Sequence, residues 1–409
     1  MLKHQKRIYR YLAPALALLL LCGCARVTAE PAAEETPSEP QTAAQPQTPA
    51  QPSQPAQPET PAAQPDIVLT LSAVGDDLLH NTVSWDCQTA DGGYDFTHLY
   101  AHIAPYVKGS DIAFVNQEVV LTGEVKAYPN LAAPAEAADA LKAAGFNVVN
   151  MATNHALDQG VDGLETAIKN VRARNFDAVL GVHDSAQDAD TPVIVEKQGV
   201  KIGFLSYTYD MNGYTLPDGK TYMIDVIDEA KMKSDLARIR PLCDYLIVSM
   251  HWGTEYQHEP NDRQRALAAL LCEGGADLII GTHPHVLQPA EWLKSADGSH
   301  QTLCAWSLGN FISGQHKFDT MIGGLLQMSI RFGADHAFKS VDSWGVAATV
   351  THFRSKGGYA VYALDDYTDA LAGEHGIRNY DTAMSLDGAR ALAQKVLGDA
   401  LAAPVKRGE

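Results

Sequence analysis

Short β-rich runs alternate with helical patterns along most of the chain, and this alternation restricts its fold more than any other feature. The first part predicts strands at 67–74, 111–116, 147–152, 178–181, 201–207, 245–250 and 277–280, and helices at 135–144, 161–174, 227–239 and 263–274. Strands that alternate with helices of this length are typical of βαβ units. We therefore expect a largely parallel sheet.

The later part of the chain has a different pattern. Strands are predicted at 301–307, 323–332, 345–353 and 358–364, with little helix between them, and a closing helix is predicted at 385–402. Consecutive strands without crossover helices are typical of antiparallel pairing. The sequence therefore predicts that these strands form a second, antiparallel sheet.

Residue types that bind metals follow nearly every predicted strand of the first part. They are Asp76 and Asp77, Asn116 and Glu118, Asn154 and His155 with Asp158, His251 with Glu255, and His283 with His285. Ligand sites in open α/β sheets lie beyond the carboxyl ends of the strands, so we expect these side chains to meet in the fold. Carboxylate, amide and imidazole groups without thiolates suit divalent ions such as Zn, Mn or Fe.

Each of these groups also has an ordinary structural explanation. A Gly-Asp pair after a strand, as at Asp76, is usually a turn or a helix cap, and an isolated His251 is typical of a core histidine. The pair His283 and His285 is the most specific, because its spacing directs both imidazoles to one side and Pro284 stiffens the segment. All five groups together predict one divalent-metal site.

Six segments resemble the signature blocks of the CapA family, also called PgsA, and occur in that family's order. They are residues 73–80, 115–118, 152–160, 250–256, 281–288 and 307–312. The resemblance implies a role in synthesis or export of poly-γ-glutamate capsule. It also implies an α/β fold of the metallo-dependent phosphatase type, which is a four-layer α/β/β/α sandwich with two mixed sheets flanked by helices.

The resemblance assigns roles to individual residues. The implied metal ligands are Asp76, Asn116 or Glu118 as the bridging group, Asn154, His251, His283 and His285. His155 is implied to lie beside the substrate, with Asp158 and Glu255 as acceptors that orient imidazoles. Two departures from the metallophosphoesterase pattern leave the number of metals open at one or two. Leu78 stands where the opening block has a histidine, and Glu118 belongs to an Asn-Gln-Glu segment in place of Gly-Asp.

The N-terminus predicts export. Four basic residues precede an apolar run at 11–21 that is too short to span a bilayer comfortably, which is typical of a signal peptide over residues 1–23. The segment Leu21-Cys22-Gly23-Cys24 resembles a lipoprotein lipobox, which implies lipidation at Cys24 and an extracytoplasmic, membrane-anchored protein. An ordinary secretory signal or an uncleaved anchor also places the domain outside the cytoplasm.

The remaining chain divides by composition. Residues 24–65 are rich in Ala, Pro, Gln and Thr, which predicts a disordered, semi-stiff spacer. We assign residues 66–365 to the folded domain and 366–409 to a C-terminal extension with a helix. Outside the lipobox there are four cysteines without a CxxC pair, which excludes zinc fingers and thioredoxin-like motifs. Of these, Cys243, Cys272 and Cys304 are expected to be buried thiols, but export permits disulfides, and the pairing state of Cys87, Cys243, Cys272 and Cys304 stays open.

The formal net charge of -18 argues against binding to nucleic acid and against simple electrostatic adhesion to an anionic polymer. A polyanionic ligand such as poly-γ-glutamate would therefore need a local positive charge, and a bound metal is the expected source.

Two classes of function remain open. One is a metallohydrolase that cleaves a phosphoester or a glutamyl-polymer bond, with protonated His155 stabilising the leaving group. The other is a non-catalytic accessory of membrane polymerase and export proteins, which grips γ-carboxylates through the metal. A domain that keeps the fold without a metal is a third possibility. Asn310 is expected either to contact substrate or to be a turn residue.

Overall fold

The computed structural model of the chain describes residues 65–407. The predicted signal peptide, the lipidation site Cys24 and nearly all of the predicted spacer lie outside these residues. The described strands are β1 Ile67–Leu78, β2 Ile112–Gln117, β3 Val148–Asn150, β4 Ala178–Leu180, β5 Val193–Lys197, β6 Val200–Thr208, β7 Tyr245–His251, β8 Leu278–Thr282, β9 Ala290–Lys294, β10 Gln301–Ala305, β11 Asn310–Ser313, β12 Ile322–Phe332, β13 Phe338–Arg354 and β14 Gly357–Ala363.

The helices are α1 Asn81–Asp86, α2 Thr97–Tyr100, α3 Ala104–Val107, α4 Glu136–Ala144, α5 Gly160–Arg172, α6 Ala186–Ala189, α7 Glu229–Ile239, α8 Asp262–Glu273, α9 Asp369–Glu374 and α10 Leu386–Leu397. Local chemistry sets several of their ends. Asn261 and Gln264 form a reciprocal capping box at the start of α8. Gly145, with a φ of 106°, ends α4 in the left-handed conformation that glycine adopts most readily. No helix in the described part of the chain is long and apolar enough to cross a bilayer.

The strands form two mixed sheets. The first has the order β14-β13-β12-β1-β2-β3-β4, with β11 also paired to β1. Strands β1 to β4 are mutually parallel. Strands β12, β13 and β14 lie on the other side of β1, and each is antiparallel to its neighbour. The second has the order β5-β6-β7-β8-β10-β9, with parallel strands in its centre and antiparallel strands at both edges.

The predicted division of strands between the sheets is wrong. Strands β12, β13 and β14 extend the first sheet instead of forming a second antiparallel one, and the second sheet consists of strands from the middle of the chain. The reason is that periodicity reports how a segment is locally extended, whereas its partner is decided by contacts distant in sequence. Here β1 pairs with β12 across the whole stretch from Ile67 to Val74.

Alternating side chains of the second sheet show how the layers are stacked. In β7, Tyr245 and Ile247 face a core shared with the first sheet, while Leu246 and Val248 face a second core with helices α7 and α8. Because successive side chains of a strand point to opposite faces, the sheet is covered on both sides. Helices α4 and α5 pack on the first sheet through residues such as Leu141. The predicted fold class, two mixed sheets flanked by helices, is confirmed.

The C-terminal segment packs on the first sheet. Leu401 forms a bridge with Val346 of β13, and the backbone nitrogen of Val405 donates to Oε1 of Gln327 in β12 at 2.7 Å. Helix α10 is shorter than the predicted helix over 385–402, because the chain turns at Gly398.

Within the described residues, Cys87, Cys243, Cys272 and Cys304 are all free thiols. Cys87, Cys272 and Cys304 are buried, whereas Cys243 is only partly buried.

Candidate metal centre

The two sheets bring five predicted ligands into one buried cluster. Asp76 lies near the end of β1 and Glu118 directly follows β2, both in the first sheet. His251 is the last residue of β7, and His283 directly follows β8, both in the second sheet. His285 lies two residues further on. The cluster therefore forms where the carboxyl ends of parallel strands from both sheets meet.

The side chains form three overlapping groups in which potential ligand atoms lie within 4.8 Å of one another. The groups are Asp76 with Glu118 and His285, Glu118 with His251 and His283, and Glu255 with His283 and His285. Glu118 belongs to the first two groups. Its carboxylate thus lies between two neighbouring positions for a cation, as a bridging ligand does.

Three buried atoms at this point have no hydrogen-bond partner within residues 65–407, namely both carboxylate oxygens of Glu118 and Nδ1 of His283. Oε1 of Glu118 lies 3.7 Å from Nε2 of His251 and 3.7 Å from Nε2 of His285. These distances are too long for hydrogen bonds. They are close to the separation of about 3–3.5 Å between two ligands of one ion with bonds of about 2.1 Å. The residues therefore fit a divalent cation.

The electrostatics of the cluster also fit a cation. Burial raises the pKa of Glu118 well above its usual range, and the charges of Asp76, Glu255 and Asp158 raise it further. Burial and the neighbouring imidazoles hold the pKa values of His251 and His283 well below the usual range. The histidines are therefore neutral, which is the form that binds metals. A buried, crowded carboxylate is costly to ionise unless a positive charge compensates it.

Hydrogen bonds orient the ligands. Nδ1 of His251 lies 2.9 Å from Oγ1 of Thr282, which orients the ring, whereas Nε2, the atom offered to the cation, lies 2.8 Å from Oδ1 of Asn154, a second potential ligand. The carbonyl of Asn154 therefore faces the same position as the His251 ring. The backbone nitrogen of His283 donates to Oδ2 of Asp76 at 3.2 Å.

Both histidines of the His-Pro-His segment have left-handed backbones. The φ angle is 94° at His283 and 59° at His285, a conformation that is uncommon for residues other than glycine. Such strained residues cluster at functional sites. The two rings lie 5.7 Å apart, centre to centre. The predicted convergence of the imidazoles is thus achieved by a tight turn, and not by an extended strand.

Two predicted candidates lie beside the cluster. The amide of Asn116 donates to Oδ1 of Asp76 at 2.8 Å, while its Oδ1 accepts from Asn150 at 2.6 Å. The side-chain carbonyl of Asn116 therefore already accepts a hydrogen bond. Of the two predicted bridging residues, the geometry favours Glu118. Asp77 is buried and accepts a hydrogen bond from Tyr100 at 2.8 Å, and burial raises its pKa to about 7.

The predicted catalytic residues have different surroundings. Nδ1 of His155 lies 2.7 Å from Oδ2 of Asp158, an oxygen that also accepts from the backbone nitrogen of Leu131 at 2.7 Å. Asp158 therefore makes the contact with His155 that its predicted orienting role requires. Glu255 is exposed and forms a ligand group with His283 and His285, without a hydrogen bond to either ring. Its surroundings suit a direct ligand better than the predicted orienting role.

Of the two roles expected for Asn310, the structure contradicts the turn residue, while the substrate contact stays a prediction. Asn310 opens β11 and is paired with Asp76 of β1, so it is a strand residue and not a turn residue. Its Oδ1 lies 3.1 Å from Nδ1 of His285, and its Nδ2 donates to the backbone oxygen of Thr320 at 3.0 Å. Asn310 therefore contacts the ring of His285, a candidate ligand, and is itself held by the backbone of Thr320.

Sequence reasoning missed several neighbours. Oδ1 of Asn212 accepts from Nδ2 of Asn154 at 3.0 Å, which fixes the direction of the Asn154 carbonyl. The Tyr209 ring lies 4.4 Å from the His283 ring, and Thr282 orients His251. Thr282 directly precedes the His-Pro-His segment in the sequence, and this position could have indicated that it lies close to the candidate ligands. Asn212 lies in an irregular loop whose sequence gives no such indication.

Known proteins resemble the chain in both sequence and structure. The family model described as "Bacterial capsule synthesis protein PGA_cap" matches residues 70–315. The PGA biosynthesis protein CapA of Bacillus subtilis (strain 168) is 32% identical over 283 residues, which is 65% of this chain and 69% of that relative. The capsule biosynthesis protein CapA of Bacillus anthracis is 32% identical over 275 residues, or 64% of each chain.

Among solved structures, a phosphatase of Mycoplasma pneumoniae matches with a TM-score of 0.42 and 15% identity, over 70% of this chain and 94% of that one. The family match covers more than half of the present chain and includes every candidate ligand described above. The protein therefore belongs to the PGA_cap family of bacterial capsule synthesis proteins.

Proposed function

We propose that this protein acts in poly-γ-glutamate capsule production, as a divalent-metal-dependent hydrolase of a phosphoester or of a glutamyl-polymer bond. The observation that carries the proposal is the shared position of Glu118. Its buried, unpartnered carboxylate belongs to two adjacent ligand groups, one with Asp76 and His285 and one with His251 and His283. Support for the capsule role comes from the family and from relatives named for PGA and capsule biosynthesis.

The residues would hold one or two ions of Mn, Zn or Fe, and such ions activate water and polarise the attacked group. The protein supplies the rest of the chemistry. His155 would donate a proton to the leaving group, and Asp158 holds its Nδ1 so that Nε2 is left for the substrate. Asn212 keeps the Asn154 carbonyl directed at the His251 side of the cluster.

One feature favours a second candidate, a non-catalytic accessory that grips an anionic polymer through the metal. Leu78 is a buried apolar residue where the metallophosphoesterase pattern has a histidine, so the Asp76 side of the cluster has one imidazole fewer. A weakly held second ion would allow binding of carboxylates without efficient hydrolysis.

An assay of the purified full-length protein, loaded with Mn or Zn, separates these candidates. The substrates are an aryl phosphate and poly-γ-glutamate, with a chelated sample as the control. Turnover that chelation abolishes supports the hydrolase. Chelation-sensitive polymer binding without product, at full metal occupancy, supports the accessory and refutes the hydrolase. If the metal-loaded protein shows no turnover and no polymer binding, both candidates are refuted.

Location and partners belong to the same proposal. The apolar run at 11–21 and the lipobox-like segment support an extracytoplasmic protein with a lipid at Cys24, tethered near membrane polymerase and export proteins. Labelling of growing cells with a fatty-acid analogue tests the anchor. Cys24→Ser is expected to abolish the label, while Cys22→Ser, the matched control, retains it. Equal labelling of both variants refutes a lipid at Cys24.

A further inference from the structure

A cationic side chain stands beside the metal centre on the loop that follows β11. Nζ of Lys317 lies 3.5 Å from the centre of the Tyr256 ring, and that ring lies 6.3 Å from the ring of His285. The ammonium group is therefore one aromatic ring away from a candidate metal ligand. Gln315, on the same loop, donates to the Tyr256 hydroxyl at 3.3 Å, which holds the ring in place.

The same loop leads into an open pocket. His316, next to Lys317, stacks on Tyr380 with the ring centres 4.0 Å apart and the planes at 4°. Both rings line a cavity of about 420 Å³, whose wall also includes Trp85 and Lys356. Trp85 and Tyr380 are among the most exposed aromatic residues of the described chain, at 58% and 64%. The loop that carries His316 and Lys317 thus connects the Tyr256 ring, beside the metal centre, with the aromatic residues of the pocket.

Of the cationic side chains near this loop and pocket, one forms an ion pair and two form none within the described residues. Arg354, in the pocket wall, is paired with Glu374 at 3.1 Å. Lys317 and Lys356 form no ion pair with any residue between 65 and 407, and both are exposed. Asp86, the acidic residue of the wall, accepts hydrogen bonds from the backbone of Gly358 and Tyr359. Two lysines without an ion pair in the described part of the chain thus lie on or beside this loop and pocket, in a chain with a net charge of -18.

We propose that Lys317 and Lys356, together with the rings of Tyr256, Tyr380 and Trp85, form a binding track for a linear polycarboxylate that runs outward from the metal centre. The inference rests on the proposed function and adds the path along which the polymer is held. The two lysines pair with carboxylates of different units of the polymer. The aromatic faces cover the uncharged methylene and amide groups between them, which a polyphosphate does not have.

Binding of a fluorescent γ-linked glutamate oligomer of roughly ten residues to the Mn-loaded, full-length protein tests the track. Each of Lys317→Ala and Lys356→Ala is expected to weaken binding about two- to fivefold, as for exposed ion pairs. The double variant is also expected to lose much of the salt dependence of binding. Lys294→Ala with Lys395→Ala is the matched control, because both lysines are exposed and unpaired within the described residues but lie outside the track. Metal content is measured for every variant.

The outcomes separate the track from the function on which it rests. Weaker binding in the track variants, with wild-type metal content and an unaffected control pair, supports the track. If wild type binds the oligomer in a metal-dependent way and the double variant binds it equally well, the track is overturned. The proposed function then still stands. No binding by metal-loaded wild type overturns the track together with the polymer-directed function. An equal loss in the control pair shows non-specific attraction and also overturns the track.

Discussion

Nδ1 of His285 lies 3.0 Å from Oδ2 of Asp76, although 209 positions separate the two residues in the chain. Asp76 belongs to the first sheet, and His285 follows a strand of the second. This contact therefore joins the two sheets at the cluster. The metal centre exists only where the sheets are packed in their native arrangement, so changes in that packing should alter metal binding.

Gly75 tests this link between packing and metal binding. A Cβ atom added there would lie 1.9 Å from the backbone oxygen of Gly309, far inside van der Waals contact, next to the ligand Asp76. We expect Gly75→Ala to lower the free energy of unfolding by about 3 kcal/mol, at the upper end for overpacked sites. Metal affinity is expected to fall as well. Chemical denaturation and metal titration measure the two effects.

Gly373→Ala is the matched control for Gly75. It lies in α9, where an added Cβ meets nothing within 4 Å. The same substitution there should raise the free energy of unfolding by about 0.5–1 kcal/mol and leave metal affinity unchanged. Similar stability for the two variants would contradict the close approach of β1 to Gly309.

Glu118→Gln should have opposite effects on metal binding and on stability without metal. The substitution removes a bridging charge, so we expect metal affinity to fall at least about 100-fold, since residues that only orient ligands already contribute about 10- to 100-fold. It also removes a buried carboxylate whose pKa is raised by burial and by Asp76. The melting temperature of the chelated protein should therefore rise. The exposed Glu196→Gln is the control, and a melting temperature that falls in chelator would argue against the electrostatic account.

His155→Asn should separate catalysis from metal binding. His155 is held by Asp158 at 2.7 Å and belongs to none of the three ligand groups. If it acts as the general acid, turnover should fall by about 10²–10⁴-fold. Elemental analysis should find the wild-type metal content. Loss of metal together with activity would instead make His155 a ligand.

The stability of the fold should decline in acid because of two buried histidines that belong to none of the ligand groups. Burial lowers the pKa of His352 to about 3 and that of His375 to about 4. Both are neutral in the fold but gain protons in the unfolded chain below about pH 6.5. Their contribution to stability is therefore complete above that pH and is lost as the pH falls towards 4, by about 1.4 kcal/mol per pH unit for each.

Denaturation at several pH values, with chelator present throughout, measures this dependence. His352→Gln should reduce the slope of unfolding free energy against pH by about one proton between pH 6 and 4. Identical slopes for variant and wild type would show that His352 does not titrate as its burial requires.

The sequence indicates most of the candidate ligands because their positions depend on local rules. Asp76, Glu118 and His251 fall at or just after the ends of apolar strands, and parallel strands end at the same edge of a sheet. The pair His283 and His285 is visible from its spacing. The family resemblance adds the expectation of a sandwich, which the structure confirms.

The remaining features depend on contacts between distant segments. No local pattern predicts that β12 pairs with β1, so the membership of the sheets could not be derived. The choice of Glu118 over Asn116 depends on Asn150, which occupies the Asn116 carbonyl. The roles of Asn310 and Lys317 likewise depend on where their loops lie in three dimensions.

Elemental analysis of purified full-length wild type, beside a variant with both His283→Ala and His285→Ala, shows whether the cluster holds a cation. We expect one or two equivalents of Mn, Zn or Fe in wild type and a loss of that metal in a folded double variant. Folded wild type that holds no metal even after titration, or a double variant that binds as much as wild type, would contradict this expectation.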